Sequence, residues 1–402
     1  MVAMALVEKQ FRTLYGVLFA VFILFGTSMT IIGATLPKIL ADFGWSYTMA
    51  GAVIAAGAVG YFLATYAAGF LVGAIGPRLT VSLGLILDVA GLLLFAAIPS
   101  PLVNLLLYFG IGIGQGFIEL TINWATLRME KSGSGRAMNL MHGAFAVGAF
   151  VGPFIIGFLI AAELPWALIY RGIAALLFLV LIALQPLPMN ALSADRAADA
   201  KKASRRELIG HPAYWLGFAS LLLYVGVELG ISNWVAEYFV SAFGAKPALG
   251  SFMVSLFWGG LLLGRFGVPL VYRGDRRELV LLSMAVLMSV SSIALSIVGF
   301  LGSGTAVVVG SALMVAFAGL GCSIVYPIVV TIVGDAFPSA QSEAVAFSSM
   351  GGGIGGFAFP FLMSAIASAW GIRAGFATYA AFSVLIVVAC VALVRTAYRK
   401  RP

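Results

Sequence analysis

The stretch GIGQGFIELTIN, residues 112–123, places a glutamate in the middle of an apolar run that covers residues 102–127. A helix of about 20 apolar residues crosses the roughly 30 Å of hydrocarbon in a bilayer. A charged side chain at that depth costs at least about 2.5 kcal/mol, so such residues usually face a cavity, a solute or a proton path. Asp88 and Glu228 lie in apolar runs of the same kind. Together with Glu119, they predict a function that is carried out inside a membrane.

The composition indicates a membrane protein over the whole chain. Of its 402 residues, 62% are hydrophobic and only 9% are charged, whereas about a quarter of a soluble domain is charged. A chain in lipid must satisfy its backbone internally, so the apolar runs are expected to be helices. We predict an all-α membrane protein with twelve transmembrane helices, over residues 11–40, 47–73, 79–98, 102–127, 137–161, 166–187, 213–243, 249–271, 279–301, 305–333, 344–368 and 372–394.

The basic residues predict the orientation. With both termini inside, the outer segments hold only Lys38, Arg171, Lys246 and Arg373, and the remaining Lys and Arg of the 23 in the chain fall on inner segments. Cytoplasmic segments carry such an excess of Lys and Arg. We therefore expect a multi-pass protein of a bacterial-type inner membrane with both termini in the cytoplasm. The net charge of +8 then reflects topology, and no nucleic-acid partner is expected.

The chain is predicted to consist of two six-helix halves. A polar segment, residues 193–211, lies between the sixth and seventh runs, so we place the halves at residues 1–190 and 213–402, with a cytoplasmic linker over 191–212. The halves repeat each other at an offset of 207 residues, which pairs 112–114 with 319–321, Gly148 with Gly355, and 153–154 with 360–361. Glycines in the spans are consistent with close helix packing. For the glycine cluster at residues 351–356, a hinge is an equally good explanation.

The fourth span carries the first group of candidate site residues. Gln115, Glu119 and Asn123 follow one another at four-residue spacing, so their side chains share one helix face. Such a stripe could bind the hydroxyl groups of a solute, with Glu119 holding a proton. The alternative is a polar stripe that only joins helices.

The seventh span carries the second group. Tyr224, Glu228 and Ser232 share a face, and Asn233 and Trp234 lie toward the outer half. Aromatic faces next to hydrogen-bonding groups suit sugar rings. The alternative is that these aromatic residues serve packing or lie at the membrane interface, which is their commoner role in membrane spans.

Five further residues are weaker candidates. Asn139 and His142 begin the fifth span, where the histidine could carry a proton or serve only as a structural group. Tyr326, next to Pro327 and a predicted kink, is the counterpart of Glu119 at the repeat offset. Asp88 has few polar neighbours in sequence and is expected to be structural. Arg265, at the inner end of the eighth span, could pair with an acid or extend to the membrane interface, and it is expected to be structural or part of a gate.

These motifs together resemble those of the fucose–galactose–glucose permease group of the major facilitators. The resemblance rests on 117–119 with Asn123, on 139–140, on 224–226 with Glu228, on 264–266 and on 326–327. It implies a fold in which the solute site lies at mid-depth between two halves that rock to alternate access. It further implies uptake of a hexose together with protons, with Glu119 at the position of the family's fourth-span acid.

Two departures from that family pattern bear on coupling. The family's first-span acid, shortly before a Leu-Pro pair, is replaced here by Gly33 before 36–37. The loop after the second span, residues 69–78, retains its end glycine and Arg78 but lacks the family's acid. An uncoupled facilitator therefore stays open as an alternative, as do a proton-coupled exporter of amphipathic compounds and a membrane sensor that transports nothing.

The sequence favours a transporter over an enzyme. It carries no zinc-binding spacing, Walker motif or nucleophile elbow, and its glycine-rich stretch 112–116 lies inside a span. We expect no metal, no cofactor and no disulfide between Cys322 and Cys390. The expected partners are a small solute, most simply a sugar, a proton as coupling ion, and the lipid bilayer. The chain is expected to be a monomer.

Overall fold

The computed structural model describes residues 6–131, 135–193, 208–272, 276–302 and 304–398. Within these residues, twelve helical segments are long and apolar enough to cross a membrane, which confirms the predicted all-α architecture. Residues 194–207 of the predicted linker lie outside the described part.

The transmembrane segments are called spans 1 to 12 in chain order. Their helices are Arg12–Phe43, Tyr47–Ile75, Pro77–Leu94, Pro101–Met129, Arg136–Ala161, Trp166–Leu184, Pro212–Phe243, Pro247–Val271, Arg277–Val298, Thr305–Cys322 followed by Val325–Ala336, Gln341–Trp370 and Ile372–Tyr398. Short 3₁₀ helices cover Lys9–Phe11 and Met189–Ser193. Span 10 is therefore two helices, whereas the sequence predicted one kinked helix over 305–333.

The chain folds into two compact units. Unit 1 comprises Met1–Trp45 and Ala52–Ala198, and unit 2 comprises Ser46–Gly51 and Asp199–Pro402. The same pairs of helices pack in both: span 1 on spans 5 and 6 and span 3 on span 4 in unit 1, then span 7 on spans 11 and 12 and span 9 on span 10 in unit 2. Many outward side chains are large and apolar, as a lipid environment requires.

Glycines at the repeat offset mark equivalent helix crossings. A methyl group added at Gly148 would lie 1.8 Å from the carbonyl oxygen of Ile23, and one added at Gly355 would lie 1.9 Å from that of Leu222. The glycines of the fourth and tenth spans match in the same way, since Gly112 meets the Gly57 backbone and Gly319 the Phe257 backbone. These glycines therefore serve close packing, and their contacts give the register of the repeat.

We expect Gly148→Ala to destabilise the protein by about 1–2 kcal/mol, because the helix backbone opposite must move to admit the methyl group. Thermal unfolding in detergent measures the change. Gly172→Ala in span 6, where an added methyl group meets nothing within 4 Å, is the matched control. Equal unfolding temperatures for the two variants would contradict the packing role.

Candidate functional site

Span 4 carries Glu119, an acid of unit 1 that has a polar partner on another span. Glu119 is partly buried, and its carboxylate accepts a hydrogen bond from the Tyr61 hydroxyl of span 2. Tyr61 was not among the predicted site residues, because a single tyrosine in an apolar helix has no sequence feature that distinguishes it from a packing residue. The pair places a titratable group and a phenol at mid-depth in unit 1.

Asn123 lies one helical turn beyond Glu119. Its side-chain oxygen is buried and has no hydrogen-bond partner among the described residues, and the same holds for the hydroxyls of Thr121 and Thr126. A buried acceptor without a donor costs about 1–3 kcal/mol. This part of span 4 therefore holds buried polar atoms whose partners are not found among the described residues.

Gln115 lies one turn before Glu119, but its amide is directed elsewhere. Its Nε2 donates to the Ser28 hydroxyl at 3.1 Å, and Ser28 in turn donates to the two carboxylate oxygens of Asp88 at 3.0 and 3.2 Å. All three side chains are buried. The structure thus separates Gln115 from the Glu119 pair and gives Asp88 polar neighbours from two other spans, which its own helix lacks.

The two candidates on span 5 lie close to the start of that helix. With a rise of about 1.5 Å per residue, Asn139 is about 5 Å from the first residue of span 5, whereas Glu119 is about 15 Å from the last residue of span 4. Asn139 is exposed and His142 is half-buried, with its ring edge on to Phe22 at 6.0 Å. By this measure Asn139 lies closer to the end of its helix than Glu119 does, and His142 lies about one turn further in.

In unit 2, the break in span 10 is the centre of a polar cluster. Pro327 has no N–H to return to the carbonyl of Ser323, four residues earlier, so the helix ends at Cys322 and restarts at Val325. The carbonyl of Cys322 accepts from the Tyr224 hydroxyl at 2.8 Å, and that of Ser323 accepts from Arg265 Nε at 3.4 Å. Side chains of spans 7 and 8 therefore satisfy the backbone that the break releases.

Glu228 connects these two side chains. It is buried, the Tyr224 hydroxyl contacts its carboxylate, and the positive charge of Arg265 interacts with it. One acid thus faces both groups that hold the broken helix. The cluster, called the span-10 cluster below, consists of Tyr224, Glu228, Arg265, Cys322 and Ser323.

The remaining unit 2 candidates differ in position. Tyr326 lies near this cluster, with its ring 6.3 Å from that of Tyr224 and its hydroxyl bonded to Ser349 at 3.0 Å. Ser232 accepts from Trp258 Nε1 at 2.8 Å. Trp234 is fully buried nearly two turns beyond Glu228, and its indole N–H has no partner among the described residues. Asn233, beside it, is half-buried.

A fourth intramembrane acid was missed by the sequence reasoning. Glu237 in span 7 is buried and accepts hydrogen bonds from Ser241 and, at 3.0 Å, from Tyr47, a residue that groups with unit 2. The Tyr47 ring also packs edge on to Trp234, at 5.9 Å. The signal that could have found Glu237 is the one that found the other three, an acid within an apolar run.

These features define a class of protein. Twelve membrane-spanning helices, a repeated six-helix unit and buried acids at mid-depth are the attributes of a secondary transporter. The sequence profile of the Major Facilitator Superfamily matches residues 18–317 and 245–402. The chain belongs to that superfamily, and it is a transporter rather than an enzyme.

Individual relatives support the same assignment. An uncharacterized transporter of the superfamily from Yersinia pestis is 26% identical over 381 residues, which is 93% of this chain and 94% of that protein. Among solved structures, a nucleoside transporter has a TM-score of 0.79 at 13% identity, covering 95% of this chain and 98% of that one. The E. coli fucose:proton symporter has a TM-score of 0.64 at 20% identity, covering 96% and 99%. At these identities the structural matches show the fold alone.

Proposed function

We propose that this transporter carries a hexose or a related sugar by alternating access, together with a proton. The observation that carries the proposal is the pairing on span 4 of Glu119, held by Tyr61, with the unsatisfied side-chain oxygen of Asn123 one turn away. We further propose that it acts as a monomer in a bacterial-type inner membrane, with both termini in the cytoplasm.

A sugar fits the chemistry of these groups. Its hydroxyls are donors as well as acceptors, so one of them supplies the hydrogen that Asn123 Oδ1 lacks, while the apolar face of the ring requires an aromatic or aliphatic surface. In unit 2 we assign solute contacts to Tyr326, Asn233 and Trp234, whose free indole N–H is a donor. The carboxylates of Glu119 and Glu228 complete the set of acceptors. Tyr224, a predicted solute contact, is assigned instead to the support of span 10, as its bond to Cys322 indicates.

Proton coupling is assigned first to Glu119 and second to Glu228. The first-span acid of the fucose–galactose–glucose group is absent, and Gly33 stands near its position in a buried stretch of span 1. A coupled carrier must present another group whose protonation changes as access alternates. Glu119 combines a carboxylate with a partner, Tyr61, that bonds to either protonation state. His142, near the start of span 5, is the third candidate.

The test is uptake of a panel of labelled sugars, nucleosides and peptides into proteoliposomes, with and without an inward proton gradient. Accumulation of a hexose that requires the gradient supports the proposal in full. Equilibration of a hexose without accumulation keeps the solute but replaces symport with facilitated diffusion. Transport of a nucleoside or peptide and of no sugar would refute the proposed solute.

We expect Asn123→Ala to raise the KM for the transported solute about tenfold, because one hydrogen bond to the solute is worth about 1–1.5 kcal/mol. Initial rates of uptake over a range of solute concentrations measure the change. Asn190→Ala, at an exposed position of the Met189–Ser193 helix, is the matched control and should leave KM unchanged.

The same substitution at the exposed Asn139 distinguishes two locations for the solute. A larger effect at Asn139 than at Asn123 would place the solute near the start of span 5. Unchanged kinetics for Asn123→Ala with every transported solute would refute the assignment of span 4.

A further inference from the structure

Asp88 is the most deeply buried acid of unit 1, and the proposed transport cycle does not use it. Its side chain is 0% exposed, as is that of Ser28, its hydrogen-bond donor. Gln115 completes the group by donating to Ser28. These three residues, called the Asp88 cluster, come from spans 3, 1 and 4, so that one helix crossing assembles them.

No positive charge balances this carboxylate within the described residues. The titratable side chain from the packed spans that interacts with Asp88 is the Tyr108 phenol of span 4, which in turn faces Tyr170 of span 6. Neither phenol supplies a cation. Because an isolated buried carboxylate is strongly disfavoured, Asp88 needs a proton or another cation to neutralise its charge.

The second unit shows what the fold needs at this position. Gly114 approaches the backbone nitrogen of Asp88, and its counterpart Gly321 approaches that of Met288, so Met288 occupies the place of Asp88. At the same offset as this glycine pair, Gln115 corresponds to Cys322.

The first helices of the two units identify the counterpart of Ser28, the third residue of the cluster. Ile23 and Leu222 are equivalent through their contacts with Gly148 and Gly355, and five residues further on stand Ser28 and Val227. The equivalent of the Asp88 cluster in unit 2 is therefore Val227, Met288 and Cys322. The sulfur atoms of Met288 and Cys322 lie 3.4 Å apart. The same helix crossing packs without any charge, so the acid is not a requirement of the architecture.

We propose that Asp88, Ser28 and Gln115 form a binding site for one monovalent cation, Na⁺ or a proton. The carboxylate supplies the negative charge, and the Ser28 oxygen lies within hydrogen-bond reach of both carboxylate oxygens. Hard cations bind through oxygen ligands of this type, and rotation of the Gln115 amide would add its oxygen to the set. A proton would instead neutralise the carboxylate directly. The site lies within unit 1 and does not depend on which solute the protein carries.

The experiment measures thermal unfolding of the full chain in detergent. One series raises NaCl against choline chloride at constant ionic strength and pH, and a second varies pH from 5 to 8 without Na⁺. A ligand that binds the native state stabilises it by mass action. Once the cation concentration exceeds its Kd, each further tenfold increase in that concentration should raise the melting temperature by about 2 °C. The series in which this occurs identifies the cation.

The decisive variant installs the residues of the second unit: Ser28→Val, Asp88→Met and Gln115→Cys together. It should fold and lose the cation response. Ser28→Ala alone should raise the half-saturating cation concentration about tenfold, and it serves if the triple variant does not fold. Thr30→Val, which removes a buried hydroxyl bonded only to its own helix, is the matched control.

Glu119→Gln serves as a second control for the pH series, because Glu119 is another intramembrane acid, on the span that carries Gln115. A wild-type protein that responds to neither cation, or a response that persists in the triple variant, would overturn the proposal. A pH response that is lost in Glu119→Gln and retained in Asp88→Asn would also overturn it.

Discussion

Replacement of Glu119 by glutamine should abolish accumulation of the solute against its gradient while leaving counterflow exchange intact. One proton that crosses 100 mV supplies about 2.3 kcal/mol, which is enough for about fifty-fold accumulation. A glutamine cannot carry that proton. It does keep the size of the side chain and an oxygen that accepts from the Tyr61 hydroxyl, so the solute-binding state is preserved.

Proteoliposomes loaded with unlabelled solute separate the two activities. Exchange of labelled for unlabelled solute should proceed in Glu119→Gln at a rate within about twofold of the wild type, whereas gradient-driven uptake should fall to the equilibrium level. Tyr61→Phe removes the hydrogen bond and keeps the acid, so it should lower the rate without abolishing accumulation.

The coupling assignment can be tested directly by measuring proton movement. Solute-induced alkalinisation of a lightly buffered medium should disappear in Glu119→Gln, or at the latest when Glu228→Gln is added. A clear proton signal in that double variant would exclude both acids as carriers, and His142 or the Asp88 cluster would then carry the proton.

The architecture could be predicted from the sequence because it depends on local properties. Apolar runs long enough to cross a bilayer determine the twelve spans, and the distribution of Lys and Arg gives their predicted orientation. The repeat was visible because glycines such as Gly148 and Gly355 cannot be replaced where two helix backbones touch. A glycine therefore records a contact between helices, although the sequence does not say which helices meet.

The polar partners could not be predicted, because they lie on different spans. Periodicity puts Gln115, Glu119 and Asn123 on one stripe, but a polar side chain as long as that of Gln115 bonds to whatever neighbour is within reach, here Ser28. Asp88 looked isolated because its partners are contributed by spans 1 and 4. The pairing of Glu119 with Tyr61 likewise depends on the way in which spans 2 and 4 cross.

The break in span 10 was predicted only as a kink. Pro327 identifies the position, since it removes one backbone hydrogen bond. Whether a helix bends or divides into two depends on whether other groups donate hydrogen bonds to the carbonyls that the proline leaves free. In this protein the two freed carbonyls have side-chain donors, Tyr224 and Arg265, and two separate helices result.

Arg265→Ala should destabilise the protein by about 2–3 kcal/mol. The substitution removes the donor to the Ser323 carbonyl and leaves the buried Glu228 carboxylate without the positive charge that interacts with it. Loss of a hydrogen bond from a charged group costs about 1.5–3 kcal/mol, and an uncompensated buried charge adds to that cost. Thermal and denaturant unfolding in detergent measure the change.

A double-mutant cycle separates the two contributions. Glu228→Gln removes the charge and keeps the hydrogen-bonding capacity, so adding it to Arg265→Ala should restore part of the lost stability, while the cost of the Ser323 carbonyl remains. The matched control is Arg277→Ala, which breaks the ion pair with Asp335. The side chains of Arg277 and Asp335 are 34% and 39% exposed. It should cost less than about 1 kcal/mol. Equal losses for Arg265→Ala and Arg277→Ala, with no recovery on adding Glu228→Gln, would show that Glu228 and Arg265 are energetically independent and that the span-10 cluster does not act as a unit.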